Sequence, residues 1–269
     1  MATDYQRAFA FQTGVMQRTS TRTQDLPWGT AYFHDGFPLR YDANMAIGDR
    51  PLGATTAVDV VAALDAAYDG FRHREVEFAS AIEADQIAMG MGEHGYAVEQ
   101  MVVMALRRGP DRAPELDGVG EFELAEMQSF IIELSLREPW GREPGVAEML
   151  ASYRQVLVDG VGARFFAQRI DGRFAGSCEL YVDGDVAQIE DVNTLEEFRG
   201  RGVARNVVLH AAEEAAGSGA TFVFLFADAQ DWPRGFYGRL GFDEVGHSRL
   251  FTRFPEGQSK GESKSPVAG

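Results

Sequence analysis

Apolar side chains recur at helical spacing in several segments of this chain, and apolar segments of strand length lie between them. The pattern predicts helices over 57–71, 84–93, 124–136, 146–157, 203–216 and 233–240. Strands are predicted over 39–46, 75–79, 97–106, 163–170, 173–182, 185–194 and 221–227, with more strand after Phe242. Elements in this order indicate a mixed α/β fold.

Two Asp-Gly dipeptides separate three of these strands. Asp171-Gly172 and Asp183-Gly184 each lie between two apolar segments. Asp-Gly is a strong signal for a two-residue hairpin loop, because both residues tolerate a positive φ. The strands between 163 and 194 are therefore predicted to be consecutive and antiparallel.

The same order of elements occurs twice. From the helix at 57–71 onward, an offset of 146 residues places Gly95 on Gly241. Upstream, an offset of 149 aligns Asp42, Asn44, Arg50 and Gly53 with Asp191, Asn193, Arg199 and Gly202. The alternative is chance agreement between two strand-helix-strand units.

This repetition divides the chain into a first part, residues 1–110, a second part, residues 111–255, and a tail, residues 256–269. Residues 108–120, rich in glycine, proline and charge, are predicted to link the two parts. Residues 1–25 are predicted to wrap the domain or to stay mobile. The tail is predicted to be disordered, since it has almost no large apolar side chain.

Composition narrows the classes of function. A net charge of −16 argues against nucleic acid and anionic membranes as partners; it serves solubility or weakly favours a cationic partner. Cys178 is the single cysteine, so neither an internal disulfide nor a cysteine-based zinc site is expected. The five histidines are scattered without ligand spacing, and no metal is predicted. Without a signal peptide or membrane-length apolar run, a soluble cytoplasmic protein is expected.

A loop with two arginines and two glycines joins the strand over 185–194 to the helix over 203–216. Its sequence is Arg199-Gly200-Arg201-Gly202-Val203-Ala204. Glycines allow close approach of the backbone to a ligand, and the N–H groups of a first helical turn attract phosphate. The loop is therefore either a phosphate site or simply a tight turn.

The residues around this loop make the second part resemble the GNAT superfamily of acyl-coenzyme A N-acyltransferases. The family hallmark, Arg or Gln, two residues, Gly, one residue, then Gly or Ala, is matched by Arg199, Gly202 and Ala204. The acidic strand 190–194 precedes the loop, and residues 236–242 look like the family's second motif. The resemblance implies the GNAT fold, with two GNAT-like halves in tandem.

The resemblance also implies an N-acetyltransferase that moves an acetyl group from acetyl-coenzyme A to an amine by direct attack in a ternary complex. The strand over 185–194 and the strand over 221–227 would then splay apart to admit the acyl donor. The residues implied to bind coenzyme A are Val192, Asn193, Thr194, Arg199, Gly200, Arg201, Gly202, Val203, Ala204, Arg205 and Gln230. Gln230 stands where the family often has Asn.

Direct transfer needs a base for the amine and an acid for the thiolate. Tyr237 matches the family's usual acid; the alternative role is an aromatic anchor for its helix. Glu190 is the first candidate for the base and Asp191 the second, unless both are solvated charges. Because side chains alternate along a strand, at most one of these two carboxylates is expected to face the cleft.

The first part looks like a degenerate copy. Pro51 lacks a backbone donor, Thr55 stands where the family has Gly or Ala, and Met91 falls on Tyr237. We expect this part to bind no coenzyme A and to wall the amine site; a separate fold is the alternative. The acceptor would be a small amine, possibly cationic, or a protein N-terminus, and the protein a monomer or homodimer. A non-catalytic acyl-coenzyme A sensor, or a tandem enzyme with two active halves, are the competing functions.

Overall fold

One mixed sheet of eleven strands runs through residues 2–229 and 233–256, which the computed structural model describes. The strands are β1 (Arg22–Leu26), β2 (Gly29–Phe33), β3 (Ala46–Gly48), β4 (Arg74–Phe78), β5 (Ala97–Leu106), β6 (Val119–Phe122), β7 (Arg164–Ile170), β8 (Arg173–Asp183), β9 (Val186–Thr194), β10 (Phe222–Asp228) and β11 (Phe242–Arg253). The helices are α1 (Asp4–Thr19), α2 (Ala57–Ala67), α3 (Ala81–Glu93), α4 (Leu124–Arg137), α5 (Val146–Val161), α6 (Val203–Gly217) and α7 (Pro233–Leu240).

The second part follows its prediction closely. Strands β7, β8 and β9 pair antiparallel in sequence, and both predicted Asp-Gly hairpins are present. Asp171 and Gly172 have φ of 50° and 79°, the left-handed backbone that a two-residue hairpin turn requires. Helix α5 continues to Val161, beyond the predicted end at 157, and stops where Gly162 adopts a left-handed cap.

The first part departs from its prediction before α2. Residues 4–19 form α1, which buries the apolar cluster around Phe9 and Phe11 and starts with a capping box from Thr3 to Gln6. The hairpin of β1 and β2 was not predicted. Residues 39–46 are not a strand; they hold a short 3₁₀ helix, Tyr41–Ala43, and the strand starts at Ala46. The tail lies outside the described residues, except for Glu256.

The last strand of each part is inserted into the other part's region of the sheet. The order is β1-β2-β3-β4-β11-β5-β10-β9-β8-β7-β6. Both neighbours of β5 therefore come from the second part, and both neighbours of β11 involve the first part. The order from β3 to β9 is also the same from either end, if β3 corresponds to β9, β4 to β10 and β5 to β11.

Strand register agrees with the offset of 146 residues at the centre of the sheet. Met101 pairs with Ser248 and Val102 with His247, so adding 146 to one partner gives the other pair's partner. Helices α2 and α6 start at 57 and 203, which is the same offset. The offset of 149 further upstream is wrong. β3 and β9 begin their parallel pairing at Ala46 and Val186, which are only 140 residues apart.

Helices cover both faces of the sheet. α1, α4 and α5 pack on one face, against a core that includes Phe224 of β10 and Tyr181 of β8. α6 and α7 pack on the other face of the second part, and α2 and α3 on that face of the first part. No helix in the described ranges combines the length and apolar character needed to cross a membrane.

The strand exchange predicts that neither part folds alone. Residues 1–110 leave β5 without either neighbour, and residues 111–269 leave β11 without either neighbour. We expect each fragment to lack a cooperative unfolding transition by circular dichroism, and the two to assemble into a folded complex when co-expressed. A fragment 111–269 that unfolds cooperatively by itself would contradict this expectation.

Candidate active site

A fork between two parallel strands opens the sheet in the second part. β9 and β10 pair only from Val186 to Gln188, opposite Phe222 to Phe224, although β9 continues to Thr194. Beyond Gln188 no further β9–β10 pairs occur in the described chain, and β10 pairs with β5 on its other side. The predicted splaying of these two strands is therefore confirmed.

A β-bulge in β9 changes which side chains face the cleft. The β8–β9 register shifts between Glu179 opposite Glu190 and Ser177 opposite Asn193. Asp191 within the bulge has φ of 51°, a rare backbone for a residue other than glycine. Glu190 and Asp191 both turn toward the face covered by α5. The expectation that at most one of them faces the cleft is wrong, because the bulge interrupts the alternation of side chains.

A buried arginine of α5 holds the second of these carboxylates. Arg154 Nε donates to Glu179 Oε1 at 2.8 Å, and its Nη2 donates to Asp191. Arg154 and Glu179 are about 5% and 4% exposed. Burial alone would raise the pKa of Asp191, but the guanidinium groups of Arg154 and Arg40 lower it. Asp191 is therefore an ionised structural partner.

Glu190 has a different environment. Its Oε1 accepts a hydrogen bond of 2.5 Å from Gln188 Nε2, a neutral donor on the same strand. Burial, together with the negative charges of Asp191 and Glu179, raises the pKa of Glu190 to about 8. A carboxyl with a pKa in this range can accept a proton near neutral pH. The two candidate bases therefore have different electrostatic roles.

Tyr237 of α7 lies on the opposite side of the sheet. It is 2% exposed and packs among the rings of Phe236 and Phe242. Burial raises the pKa of its hydroxyl, and the negative charge of Glu190 raises it further. The charge of Glu190 is thus felt at the Tyr237 hydroxyl, from the other face of the fork.

The predicted loop leads into an open helix start. Gly200 and Gly202 have φ of 75° and 80°, which require glycine in this turn. Gly202 is the N-cap of α6, no described side chain caps the helix, and its first turn has no acidic residue. The N–H groups of Val203 to Arg205 are therefore available to an anion.

Three buried polar atoms near this helix start have no hydrogen-bond partner in the described chain. They are Asn193 Oδ1, Thr194 Oγ1 and Arg205 Nε. Gly176 of β8 allows β9 close contact, since a Cβ there would lie 2.4 Å from Asn193 O. Donor and acceptor atoms without partners beside an uncapped helix fit a ligand with phosphate and amide groups, as coenzyme A has.

The corresponding helix start in the first part is closed. Thr56 caps α2, its N–H donating to Asp59 Oδ2 at 2.9 Å, and Asp59 adds a negative charge to the first turn. In the loop, Leu52 N–H donates to Glu83 Oε2 at 3.1 Å. Arg50 donates to the carbonyls of Leu26 and Gly29. The prediction that Gly53 matches Gly202 is wrong, because Thr56 holds the N-cap.

The first part contributes to the cleft by another segment. The loop between β2 and β3 packs on α5, with the Arg40 guanidinium 4.9 Å from the Tyr153 ring and Phe37 at 5.2 Å from it. Arg40 also pairs with Asp42 and lowers the pKa of Asp191 by its charge. Sequence reasoning missed Arg40, Arg154 and Gln188. Arg154 could have been found, because it is a charged residue on the apolar face of a predicted helix.

Two points concern residues and ions outside this arrangement. Gln230, implied to bind coenzyme A, lies outside the described residues, as do Asp231 and Trp232. Among the described residues, no group of three or more His, Cys, Asp or Glu side chains could hold a metal ion.

Comparison with known proteins identifies the class. Residues 128–242 match the model of the acetyltransferase (GNAT) family, and the chain belongs to the GNAT superfamily. A GCN5-related N-acetyltransferase from Kribbella flavida is similar over 94% of this chain and 96% of its own, with 19% identity and a TM-score of 0.63. A conserved protein of unknown function from Staphylococcus epidermidis is similar over 86% of this chain and 93% of its own, with 13% identity and a TM-score of 0.68.

These similarities extend beyond the matched family domain. A GCN5-related N-acetyltransferase from Sphaerobacter thermophilus covers 84% of this chain over 76% of its own, with 18% identity and a TM-score of 0.56. The low identities show a shared fold that includes the first part. No curated protein matches the chain.

Replacement of Arg154 by Met is expected to destabilise the fold by about 3–5 kcal/mol near pH 8, because two buried carboxylates lose their cation. In the native protein the lowered pKa of Asp191 stabilises the fold above its unfolded pKa and is lost in acid. In the variant the buried carboxylates would have raised pKa values, so the deficit should shrink toward pH 5. Urea unfolding at both pH values measures this.

The matched control is Arg164→Met. Arg164 pairs with Glu121 and Glu214 but is 27% exposed, and its loss should cost about 0–1 kcal/mol at either pH. Equal costs for the two variants would contradict the structural role of Arg154.

Proposed function

We propose that this protein is an N-acetyltransferase that transfers the acetyl group of acetyl-coenzyme A to an amine, with one active site in the second part. The observation that carries the proposal is the fork of β9 and β10, with Glu190 on one face, Tyr237 on the other and an uncapped helix start at its end. Acetyl-coenzyme A would supply the activated acetyl thioester.

The chain would hold the donor along β9 and at the start of α6. The N–H groups of Arg201 to Arg205 are suited to the pyrophosphate, and Arg199 adds a nearby positive charge. Asn193 Oδ1 and Thr194 Oγ1, buried without partners, are suited to the amide groups of the pantetheine. The backbone of Val192 beside the bulge is placed to stabilise the negative charge that develops on the thioester oxygen.

Glu190 would take the proton from the attacking amine, and Tyr237 would give one to the departing thiolate. A base with a pKa of about 8 matches the task, since the amine must be neutral to attack. Asp191 would stay ionised against Arg154 and keep the proton on Glu190. The N–C bond forms as the C–S bond breaks, and no covalent intermediate on the protein is needed.

The acceptor would reach Glu190 from the face covered by α1 and α5. The loop with Arg40 and Asp42 would form part of its wall, which gives the first part a role without a ligand of its own. The acidic side chains of this face favour a cationic small amine over a protein N-terminus. We expect the first part to bind no coenzyme A, since Thr56, Asp59 and Glu83 satisfy its helix start and loop.

Coenzyme A is expected to bind in a ratio of one per chain, measured by isothermal titration calorimetry. Gly202→Ala should weaken binding at least tenfold, about 1.4 kcal/mol, because a side chain at φ of 80° would also lie 2.4 Å from Arg205. The control Gly53→Ala has a similar φ of 57° with open space and should leave binding unchanged. Two equivalents per chain would instead support two active halves.

Activity on a panel of primary amines, followed by thiol release from acetyl-coenzyme A, tests the chemistry. Glu190→Gln should lower kcat/KM by about 10²–10⁴ and remove the rise in rate with pH near 8. Tyr237→Phe should lower kcat and leave coenzyme A affinity unchanged. Tight coenzyme A binding without turnover of any amine, and no effect of either change, would favour an acyl-coenzyme A sensor.

A further inference from the structure

Gln188 lies where β9 and β10 separate, beside the carboxylate of Glu190. It is 3% exposed, and it forms the last β9–β10 pair, opposite Phe224. Because an ionised carboxylate only accepts hydrogen bonds, the bond of 2.5 Å to Glu190 fixes the amide with Nε2 toward Glu190. The other atom, Oε1, therefore points away from the base.

Gln188 Oε1 is buried and receives no hydrogen bond in the described chain. A buried carbonyl oxygen without a donor costs about 1–3 kcal/mol, and native proteins rarely leave one. Opposite Gln188 on β8 is Tyr181, whose hydroxyl donates to Glu179 and not to the amide. The free oxygen lies on the face from which an amine would reach Glu190.

We propose that Gln188 positions the base with its Nε2 and recognises the acceptor amine with its Oε1. This inference rests on the proposed acetyl transfer. A protonated primary amine has three N–H groups, so one can pass its proton to Glu190 while a second donates to Gln188 Oε1. A hydroxyl has one hydrogen and cannot satisfy both atoms. Gln188 would therefore select amines over alcohols.

The positioning role has a consequence for the titration of Glu190. Several groups face its carboxyl: Asp191 from its own strand, Glu179 and Tyr181 from β8, and Tyr237 from α7, while Arg154 of α5 binds Glu179 and Asp191. Gln188 is the neutral donor among them, and its bond favours the ionised form. Removal of that bond leaves the negative neighbours unopposed.

The first test uses Gln188→Met, which keeps the shape of the side chain and removes the amide. The pKa of Glu190 in the ligand-free full chain is measured by carbon NMR, with Glu190→Gln for assignment, and should rise by about one unit. The control is Gln168→Met on β7, a glutamine 7% exposed that donates to Asp117 O, which should leave Glu190 unchanged. An unchanged Glu190 in Gln188→Met would overturn the positioning role.

The second test uses methylammonium as the probe in the presence of acetyl-coenzyme A. The side-chain amide resonance of Gln188 should shift on titration in the wild-type protein, and the KM for methylamine should rise about tenfold in Gln188→Met, with the KM for acetyl-coenzyme A unchanged. A resonance that does not shift would overturn the recognition role. A shift without turnover would support Gln188 and count against the proposed transfer.

Discussion

The antiparallel pairing of β5 with β11 is the constraint on which the rest of the structure depends. Ten positions of each strand pair across the centre of the sheet, and each strand then pairs on its other side with the opposite part of the chain. β10 is thereby held by β5 on the side away from β9. Because β10 is fixed there, β9 can diverge from it and open the fork without leaving β10 as a free edge.

Most of the second part could be predicted from the sequence because its signals are local. Asp-Gly turns fix the register of hairpins, and apolar periodicity fixes α6 and β10. The first part before α2 was harder. Its β1 exposes four of five residues, and β3 has only three residues, so neither shows a clear period. The strand exchange had no local signal at all, since it depends on which of two equivalent neighbours a strand selects.

The site was predictable in its loop and less so in its charges. Motif residues placed the glycines and Tyr237, because backbone conformation demands glycine at Gly200 and Gly202. The bulge at Asp191 could not be derived from alternation, which assumes a regular strand. The partners of the two carboxylates depend on a helix 37 residues upstream, through Arg154. Side chains that distant in sequence meet only after the sheet and α5 have packed.

Two repeated helix starts in this chain show how polar satisfaction distinguishes a binding site from a structural copy. At α2, a threonine cap, Asp59 and Glu83 take up the backbone donors, and Arg50 is bonded to strand carbonyls. At α6, the described chain provides no such cap, and polar atoms of Asn193 and Thr194 stay unpaired nearby. An uncapped start costs stability that a structural turn would recover cheaply with one serine or threonine. Retaining glycine there is consistent with donors kept free for a ligand, which motif spacing alone could not decide.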